Sequence, residues 1–305
     1  MKQISIGGKI SVPHIGVGCM RINGLESRAV DSLVRASMEA GGNFFDHADI
    51  YGGGEAESHF ADSVGMTPAL RERMILQTKC GIRPGVCYDF SKEHILASVD
   101  GSLKRLKTDY VDILLLHRPD ILAEPEEVAE AFDELEKSGK VRYFGVSNQN
   151  PAQISLLNKY CGGRVMIDQL QLSIAFCPMF DAGINVNMTN DEATARDGGI
   201  VDYCRLNAIT IQAWSPFQYG FFEGVFLGSD KYPLLNGVIA RLAEKYGVTN
   251  NAIVIAWILR HPAKIQAITG TTNLQRLLEI FEAEKAPLTR EEWYELYLAA
   301  GKKLP

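Results

Sequence analysis

The chain has 305 residues, of which 46% are hydrophobic and 22% are charged, and its formal net charge is −6. This composition is typical of a soluble globular protein, and a negative charge without any Lys/Arg-rich stripe argues against nucleic acid as a partner. No apolar run approaches the roughly 20 residues that a membrane helix needs, and the N-terminal MKQISIGGKISVPHIG lacks the apolar core of a signal peptide.

The six cysteines are scattered along the chain and form no CxxC pair. A disulfide framework or a zinc site would require paired spacings. Scattered free thiols fit a reducing compartment. We therefore expect a cytoplasmic protein with no metal site and no membrane partner.

The first predicted element is a β-hairpin over ISIGGKISVP (4–13), with two glycines in its turn. We expect it to cover one end of the sheet that follows. That sheet is predicted from short apolar, β-branched segments at fairly even spacing. Eight of them are predicted strands: 15–20, 42–46, 74–79, 111–117, 141–147, 165–171, 208–214 and 265–270.

Segments of helical period separate these strands, among them ESRAVDSLVRASMEAGG, SKEHILASVDGSLKRLK and PEEVAEAFDELEKSGK. Several of them end in glycine, as helix C-termini often do. Strands that alternate with helices of this length predict parallel pairing through right-handed crossovers. Eight repetitions over about 260 residues favour an α/β fold of the (β/α)8 TIM-barrel type, and an open doubly wound sheet is the alternative.

No low-complexity stretch and no Pro/Ser-rich linker interrupts the chain, so we predict a single domain over residues 1–305. The connection 172–207 is longer than ordinary loops and marks a functional loop or an insertion. One hypothesis is that it covers a ligand pocket, because little chain follows the last predicted helix.

Ionisable side chains stand where three of the predicted strands end. Asp46 follows the second strand, Tyr51 comes five residues later, Lys79 follows the third strand and His117 follows the fourth. Each has an ordinary explanation by itself: a turn cap, a half-buried aromatic, a surface lysine and a core histidine. In a (β/α)8 barrel, however, all four converge on the rim where catalytic groups sit.

Together these four side chains make a coherent proton-donating site. A phenol with a pKa of about 10 is a poor acid at neutral pH. A lysine ammonium within about 4–6 Å stabilises the phenolate and lowers the phenol pKa by about one to three units. A carboxylate can hold the lysine charged, and a histidine can orient the oxygen that receives the proton. This arrangement suits the reduction of a carbonyl. We expect the neighbouring His47 and Asp49 to point away from it.

Five segments match, in order, the motifs of a known family: FFDHADIYGGGEAE, MILQTKCG, DILLLHRPD, KVRYFGVSN and AWSPF. With these motifs the chain resembles the aldo-keto reductases from about residue 6 to residue 283. The resemblance implies a (β/α)8 barrel that reduces aldehydes or ketones with NADPH. It also places the family's catalytic tetrad on Asp46, Tyr51, Lys79 and His117.

The resemblance further implies how a nicotinamide cofactor would be held. Ser147, Asn148 and Gln169 would bind the carboxamide, and Trp214 would stack on the nicotinamide ring. Other members of the expected site are Ser215 and Phe217 at the cofactor and Met20 in the substrate pocket. Aromatic side chains near the C-terminus could also shape that pocket, but helix packing is the preferred interpretation for Trp293, Tyr294 and Tyr297.

The segment TGTTNLQRLLE (269–279) opens the last predicted barrel helix. Gly270 and the backbone N–H groups of a helix N-terminus make a natural phosphate site. By resemblance, Thr272, Arg276 and Glu279 would face the adenosine half of the cofactor. Many relatives carry a lysine in place of Gly270, but Arg276 remains to pair with a 2′-phosphate.

We therefore predict an NADPH-dependent reductase of aldehydes or ketones that acts on a small-molecule substrate. The alternative is a cofactor-sensing regulatory subunit of the same fold with slow turnover. A cofactor-free barrel hydrolase or lyase is a third hypothesis. The sequence leaves the substrate and the oligomeric state open.

Overall fold

The strands of the molecule form one central barrel and three small hairpins. The computed structural model describes all residues from Met1 to Pro305. The N-terminal hairpin is β1 (Gln3–Ile6) and β2 (Ile10–Pro13). The barrel strands are β3 (Ile15–Gly18), β4 (Phe44–Asp46), β5 (Ile75–Cys80), β8 (Val111–Leu116), β9 (Val141–Ser147), β10 (Val165–Gln171), β11 (Thr210–Trp214) and β14 (Gln266–Thr269). Two short rim hairpins are β6 (Ile82–Arg83) with β7 (Cys87–Tyr88), and β12 (Gln218–Tyr219) with β13 (Gly224–Val225).

The eight barrel strands pair in parallel, and β14 closes the barrel by pairing with both β3 and β11. Each predicted strand overlaps one observed strand, with differences of a few residues at the ends. The predicted (β/α)8 barrel is therefore confirmed, and the open doubly wound sheet is wrong.

Helices surround the barrel and connect its strands. They are α1 (Ser27–Glu39), α2 (Ala56–Val64), α3 (Pro68–Arg71), α4 (Lys92–Leu106), α5 (Pro125–Lys137), α6 (Pro151–Tyr160), α7 (Pro178–Ile184), α8 (Ile200–Leu206), α9 (Pro233–Tyr246), α10 (Asn250–Leu259), α11 (Leu274–Phe281) and α12 (Arg290–Ala299). None of them combines the length and the apolar character that a membrane span requires.

The sequence explains where these helices begin and which face they bury. Helix α1 buries Val30, Leu33, Val34 and Ser37, a spacing of three and four residues that makes one stripe against the barrel. Helix α6 begins with a capping box, in which the Asn150 side chain accepts the Gln153 N–H and the Gln153 side chain accepts the Asn150 N–H.

The N-terminal hairpin closes the amino end of the barrel. Gly7 and Gly8 have φ values of +55° and +69°, which suit the tight turn between β1 and β2. The hairpin side chains Ile6 and Val12 are fully buried in a cluster with barrel residues that include Phe44. The expectation that the hairpin covers one end of the barrel is confirmed.

The long connection 172–207 contains structure of its own, namely α7 and α8. The Asp181 carboxylate in α7 accepts hydrogen bonds from the Tyr297 hydroxyl at 2.9 Å and from the Lys302 ammonium at 2.5 Å. The connection is thus fastened to the C-terminal helix and tail. Trp293 in α12 stacks on Trp257 with ring centroids 4.8 Å apart, so the preference for helix packing at this aromatic is confirmed.

We expect the barrel to depend on its hairpin for stability. Replacing the fully buried Ile6 with alanine leaves a cavity at the barrel end and should lower the free energy of unfolding by about 2–5 kcal/mol. Urea unfolding curves measure this change. The matched control is Ser5→Ala on the exposed face of β1, which should change stability by less than about 0.5 kcal/mol. If Ile6→Ala lowered the free energy of unfolding by less than about 0.5 kcal/mol, as expected for the control, the hairpin would not seal the barrel.

Candidate active site

A cavity of about 700 Å³ opens at the carboxyl ends of the barrel strands. This is the end of a (β/α)8 barrel where the loops carry chemistry. Most of the predicted site residues line this cavity: Met20, Asp46, Tyr51, His117, Ser147, Asn148, Gln169, Trp214, Ser215, Phe217, Gly270 and Arg276. Three do not, namely Lys79, Thr272 and Glu279.

Lys79 lies directly behind the cavity wall and is fully buried. Its ammonium donates to the Asp46 carboxylate at 2.8 Å, to the His47 carbonyl at 2.8 Å and to the Tyr51 hydroxyl at 3.0 Å. Three acceptors match the three donors of an ammonium group, so the buried charge is fully satisfied. Burial alone would lower the pKa of Lys79, but the charge of Asp46 and the contact with Tyr51 outweigh it and raise the pKa above its ordinary value.

The Tyr51 hydroxyl remains protonated at neutral pH. Burial raises its pKa, and the Lys79 charge lowers it only in part, so the pKa lies above the ordinary value for tyrosine. Lys79 acts in the direction expected from the sequence, but the net shift is opposite to the predicted one because desolvation of the phenolate dominates. The site holds a neutral phenol whose oxygen already accepts from an ammonium group.

His117 stands beside Tyr51, with ring centroids 5.8 Å apart and ring planes nearly perpendicular. Its Nδ1 is buried without a partner, and its Nε2 makes no hydrogen bond within the protein. Burial, followed by the charges of Lys79 and Arg118, holds the pKa of His117 well below its usual value. The imidazole is therefore neutral, and one of its nitrogens can donate to an oxygen in the cavity.

The loop that carries Tyr51 is fixed by the strand next to it. The His47 and Asp49 N–H groups donate to the carbonyls of Gln77 and Lys79 in β5, which extends the strand pairing past Asp46. The chain then turns at Gly52, where φ is +61° and a Cβ atom would lie 2.7 Å from the Asn23 side chain. Glycine at this position lets the turn close beside Tyr51.

His47 and Asp49 do not line the cavity. The His47 ring is fully buried and contacts the Phe60 ring edge-on at 4.6 Å. Asp49 faces a second, smaller cavity on the other side of the loop. Their placement agrees with the expectation that both point away from the site.

The side chains predicted to bind the carboxamide form a connected group at the ends of β9 and β10. Asn148 donates to the Ser147 hydroxyl at 2.7 Å, and Ser147 donates to the Gln169 carbonyl at 2.8 Å. The side-chain nitrogen of Gln169 donates to Asp46 and to Gln212, whereas its side-chain oxygen accepts no hydrogen bond within the protein. That oxygen is available to an amide donor in the cavity.

Trp214 is the last residue of β11 and forms part of the cavity wall. Its indole N–H donates to the Asn148 side chain at 3.3 Å, and its ring stacks on Phe222 with centroids 5.8 Å apart. Phe222 belongs to the rim hairpin β12–β13, which covers this side of the cavity. The connection 172–207 contributes no residue to the cavity wall, so the hypothesis that it forms the cover is wrong.

The far end of the cavity lies at the start of α10 and α11. Gly270, Thr271 and Arg276 line it, together with Asn250 and Asn251. The Asn273 side chain caps α11 by accepting the backbone N–H of Arg276 at 2.9 Å. The Arg276 guanidinium forms no ion pair.

Two of the predicted adenosine residues lie off the cavity wall. Thr272 does not reach the cavity, and the Glu279 carboxylate instead accepts a hydrogen bond from Asn251 at 2.9 Å. Glu279 thus contacts Asn251, which itself lines the cavity. The roles predicted for both residues stay predictions.

Sequence reasoning missed several residues of this site. Asn250 and Asn251 follow the Thr249 cap of α10, and only the chain trace brings that helix end to the cavity. A layer of buried glutamines below Asp46, formed by Gln77, Gln212 and Gln266, was also missed. The sequence signal for this layer was a glutamine within each of three mainly apolar strands, β5, β11 and β14.

The Aldo/keto reductase family model matches residues 14–297. Two relatives are named 6-dehydroglucose reductase. The one from Novosphingobium aromaticivorans is 36% identical over 313 residues, covering 100% of this chain and 97% of the relative. The one from Agrobacterium fabrum is 35% identical over 319 residues and covers 100% of both chains. An aldo/keto reductase from Klebsiella pneumoniae, solved with NADP and acetate, superimposes with a TM-score of 0.79 at 23% identity, covering 100% of this chain and 97% of that one.

The half-buried Asp49 should make stability depend on pH. Burial, reinforced by the Glu57 charge, raises the pKa of Asp49 from 3.8 to about 7, and one of its oxygens has no partner. The stabilising contribution of a raised carboxyl pKa is present below about pH 4 and is lost as the pH rises through about 7. Asp49→Asn mimics the protonated form, so its stability relative to wild type should increase by up to about 1.4 kcal/mol per pH unit across that window.

Urea unfolding of both proteins between about pH 4 and pH 8 measures this difference. The control is Asp230→Asn, a change at an exposed aspartate that forms no ion pair. Its stability should depend on pH in the same way as that of wild type. Parallel curves for Asp49→Asn and wild type would mean that Asp49 ionises normally in the folded protein.

Proposed function

The chain belongs to the aldo/keto reductase family and is an NAD(P)H-dependent oxidoreductase, and we propose that it reduces aldehyde or ketone carbonyls to alcohols with NADPH. The observation that carries this proposal is the contact of the Lys79 ammonium with the Tyr51 hydroxyl at 3.0 Å on the cavity wall. The experiment that tests it is steady-state oxidation of NADPH with a panel of aldehydes and ketones.

The residues of the cavity fit a nicotinamide dinucleotide. The side-chain oxygen of Gln169 is free to accept from a carboxamide, and Asn148 and Ser147 stand beside it. At the far end, Arg276 and the turn at Gly270 offer a guanidinium and backbone N–H groups to phosphate. The two relatives named 6-dehydroglucose reductase and the NADP-bound Klebsiella neighbour support the same assignment.

When bound, the nicotinamide cofactor supplies a hydride to the carbonyl carbon. The protein residues would serve the oxygen, on which negative charge develops. Neutral His117 donates a hydrogen bond that orients this oxygen, and Tyr51 transfers its proton to it. Lys79 stabilises the resulting phenolate, and Asp46 keeps Lys79 charged. The attraction between Lys79 and the Tyr51 oxygen strengthens as Tyr51 loses its proton, which is where catalysis requires it.

The alternative function is a regulatory subunit that senses the cofactor and turns over slowly. Complete pairing of Asp46, Lys79 and Tyr51 beside an open cavity favours an enzyme. The same NADPH oxidation experiment separates the two functions. Tight NADPH binding with negligible turnover on every carbonyl would favour the regulatory subunit, and no binding of NADP(H) would favour a cofactor-free hydrolase or lyase.

Tyr51→Phe should abolish most of the activity while leaving the cofactor bound. The phenyl ring keeps its contact with His117 but has no proton to give, so kcat should fall by about 10²-fold or more. Turnover and NADPH affinity are measured on the same preparation. Tyr160→Phe, a change at an exposed tyrosine of α6, is the control. A near-normal kcat in Tyr51→Phe would mean that another group delivers the proton.

Arg276→Ala should weaken NADPH binding and affect NADH little, because only NADPH carries a 2′-phosphate. A hydrogen bond to a charged group contributes about 1.5–3 kcal/mol, which corresponds to a loss of roughly ten- to two-hundred-fold in affinity. Dissociation constants for both cofactors at one salt concentration give the comparison. Arg290→Ala removes an exposed, unpaired arginine at the start of α12 and controls for net charge. Equal weakening of both cofactors would contradict a role in reading the phosphate.

A further inference from the structure

The charge of the cavity is opposite in sign to that of the protein. The charged side chains on its wall are Arg21, Asp46, Arg118 and Arg276. The Asp46 charge is compensated by Lys79 at 2.8 Å, whereas none of the three arginines forms an ion pair. A chain with a net charge of −6 thus surrounds a cavity with three uncompensated guanidinium groups. Such a cavity concentrates anions against the field of the whole molecule.

Arg118 differs from every other arginine that is withdrawn from solvent. Four arginines are buried or half-buried, and three of them are bonded to carboxylates. Arg71 pairs with Asp112, Arg105 with Glu57 and Arg164 with Asp133, at 2.6, 2.8 and 2.7 Å. Arg118 has no carboxylate partner, and its side chain makes no hydrogen bond within the protein. Because a partly desolvated guanidinium is costly without an acceptor, the missing partner points to a ligand.

The surroundings of Arg118 hold its charge in place without occupying its donors. The guanidinium carbon lies 5.9 Å from the Trp214 ring centroid and 5.7 Å from that of Phe221. Aromatic rings attract a cation but accept none of its in-plane N–H groups. Arg118 also follows His117 directly in the chain, so its charge is beside the expected reaction centre.

We propose that Arg118 binds a carboxylate on the carbonyl substrate, so that the preferred substrate is an aldehyde or ketone that carries its own carboxylate group. The planar fork of a guanidinium matches the two oxygens of a carboxylate. Apolar side chains line the same cavity, including Ile50, Phe222 and Val225. They would contact the carbon chain of the substrate between its carbonyl and its carboxylate. This inference rests on the proposed carbonyl reduction and names its substrate class.

Two matched substrate pairs test the inference with the full chain and NADPH. Succinic semialdehyde is compared with butanal, and 4-carboxybenzaldehyde with 4-methylbenzaldehyde. Each pair differs mainly in the carboxylate. We expect kcat/KM to be about ten- to two-hundred-fold higher for the carboxylate member of at least one pair, the range of one charge-assisted hydrogen bond.

The variant Arg118→Met keeps an unbranched side chain beside Trp214 but removes the charge. It should lower the ratio of kcat/KM between carboxylate and neutral members to near one, and Arg118→Lys should restore part of it. Arg28→Met, at an exposed and unpaired arginine of α1, changes the net charge equally and should leave the ratio at its wild-type value. Calorimetric binding of 4-hydroxybutanoate to the NADPH-loaded protein gives a readout without turnover, because an alcohol cannot react with the reduced cofactor. Arg118→Met should weaken this binding over the same range.

Several outcomes would overturn the inference. One is that the wild-type protein reduces the two members of each pair with equal kcat/KM. Another is an Arg118→Met variant in which kcat/KM falls by the same factor for the carboxylate and the neutral member of each pair. If NADPH binds but no carbonyl compound is reduced, the proposed function fails. The carboxylate site is then judged by 4-hydroxybutanoate, and unchanged binding in Arg118→Met would overturn it as well.

Discussion

The site depends on one buried charge, the ammonium of Lys79. An ammonium group without partners costs several kcal/mol in a protein interior, so its three acceptors must stay in place for the fold to be stable. Those acceptors come from the end of β4 and the loop after it, at Asp46, His47 and Tyr51. The β4–β5 register pairs Asp46 with Gln77, two residues before Lys79, and thereby sets the distances. The contact between Lys79 and the Tyr51 hydroxyl is thus a condition of folding and is present without a ligand.

A layer of amide side chains supports Asp46 from below. Gln77 donates to Asp46 at 2.6 Å, Gln212 exchanges hydrogen bonds with Gln77 and donates to Gln266, and Gln266 donates to the Pro13 carbonyl at 2.7 Å. The layer lies between the apolar plug of the N-terminal hairpin and the cavity. Because each buried amide is paired, the interior can hold polar groups without the cost of unsatisfied ones. The hairpin is therefore connected to the reaction centre through bonds that cross the whole barrel.

The sequence was sufficient for features that follow from local pattern and from general rules of the fold. Strand period and helix spacing predicted the barrel, and the rule that barrel strands end at the site brought Asp46, Tyr51, Lys79 and His117 together. The sequence was insufficient for features of the site that depend on contacts between distant segments. The direction of the Tyr51 pKa shift was missed because desolvation depends on how tightly the loops close. The turn of Glu279 toward Asn251 was missed because no local signal pairs α10 with α11.

The charges along the cavity are unevenly distributed. The Lys79 charge is compensated by Asp46, and burial keeps His117 neutral, so no net positive charge stands beside the Tyr51 hydroxyl. Guanidinium groups without ion pairs line other parts of the cavity, Arg276 near the start of α11 and Arg118 beside Trp214. In the proposed reaction, an anionic group binds at one of these arginines and does not compete for the Tyr51 proton. In the proposed reaction, negative charge develops at the centre only as Tyr51 becomes a phenolate, and its attraction to the Lys79 ammonium directs the electrostatic stabilisation to the transition state.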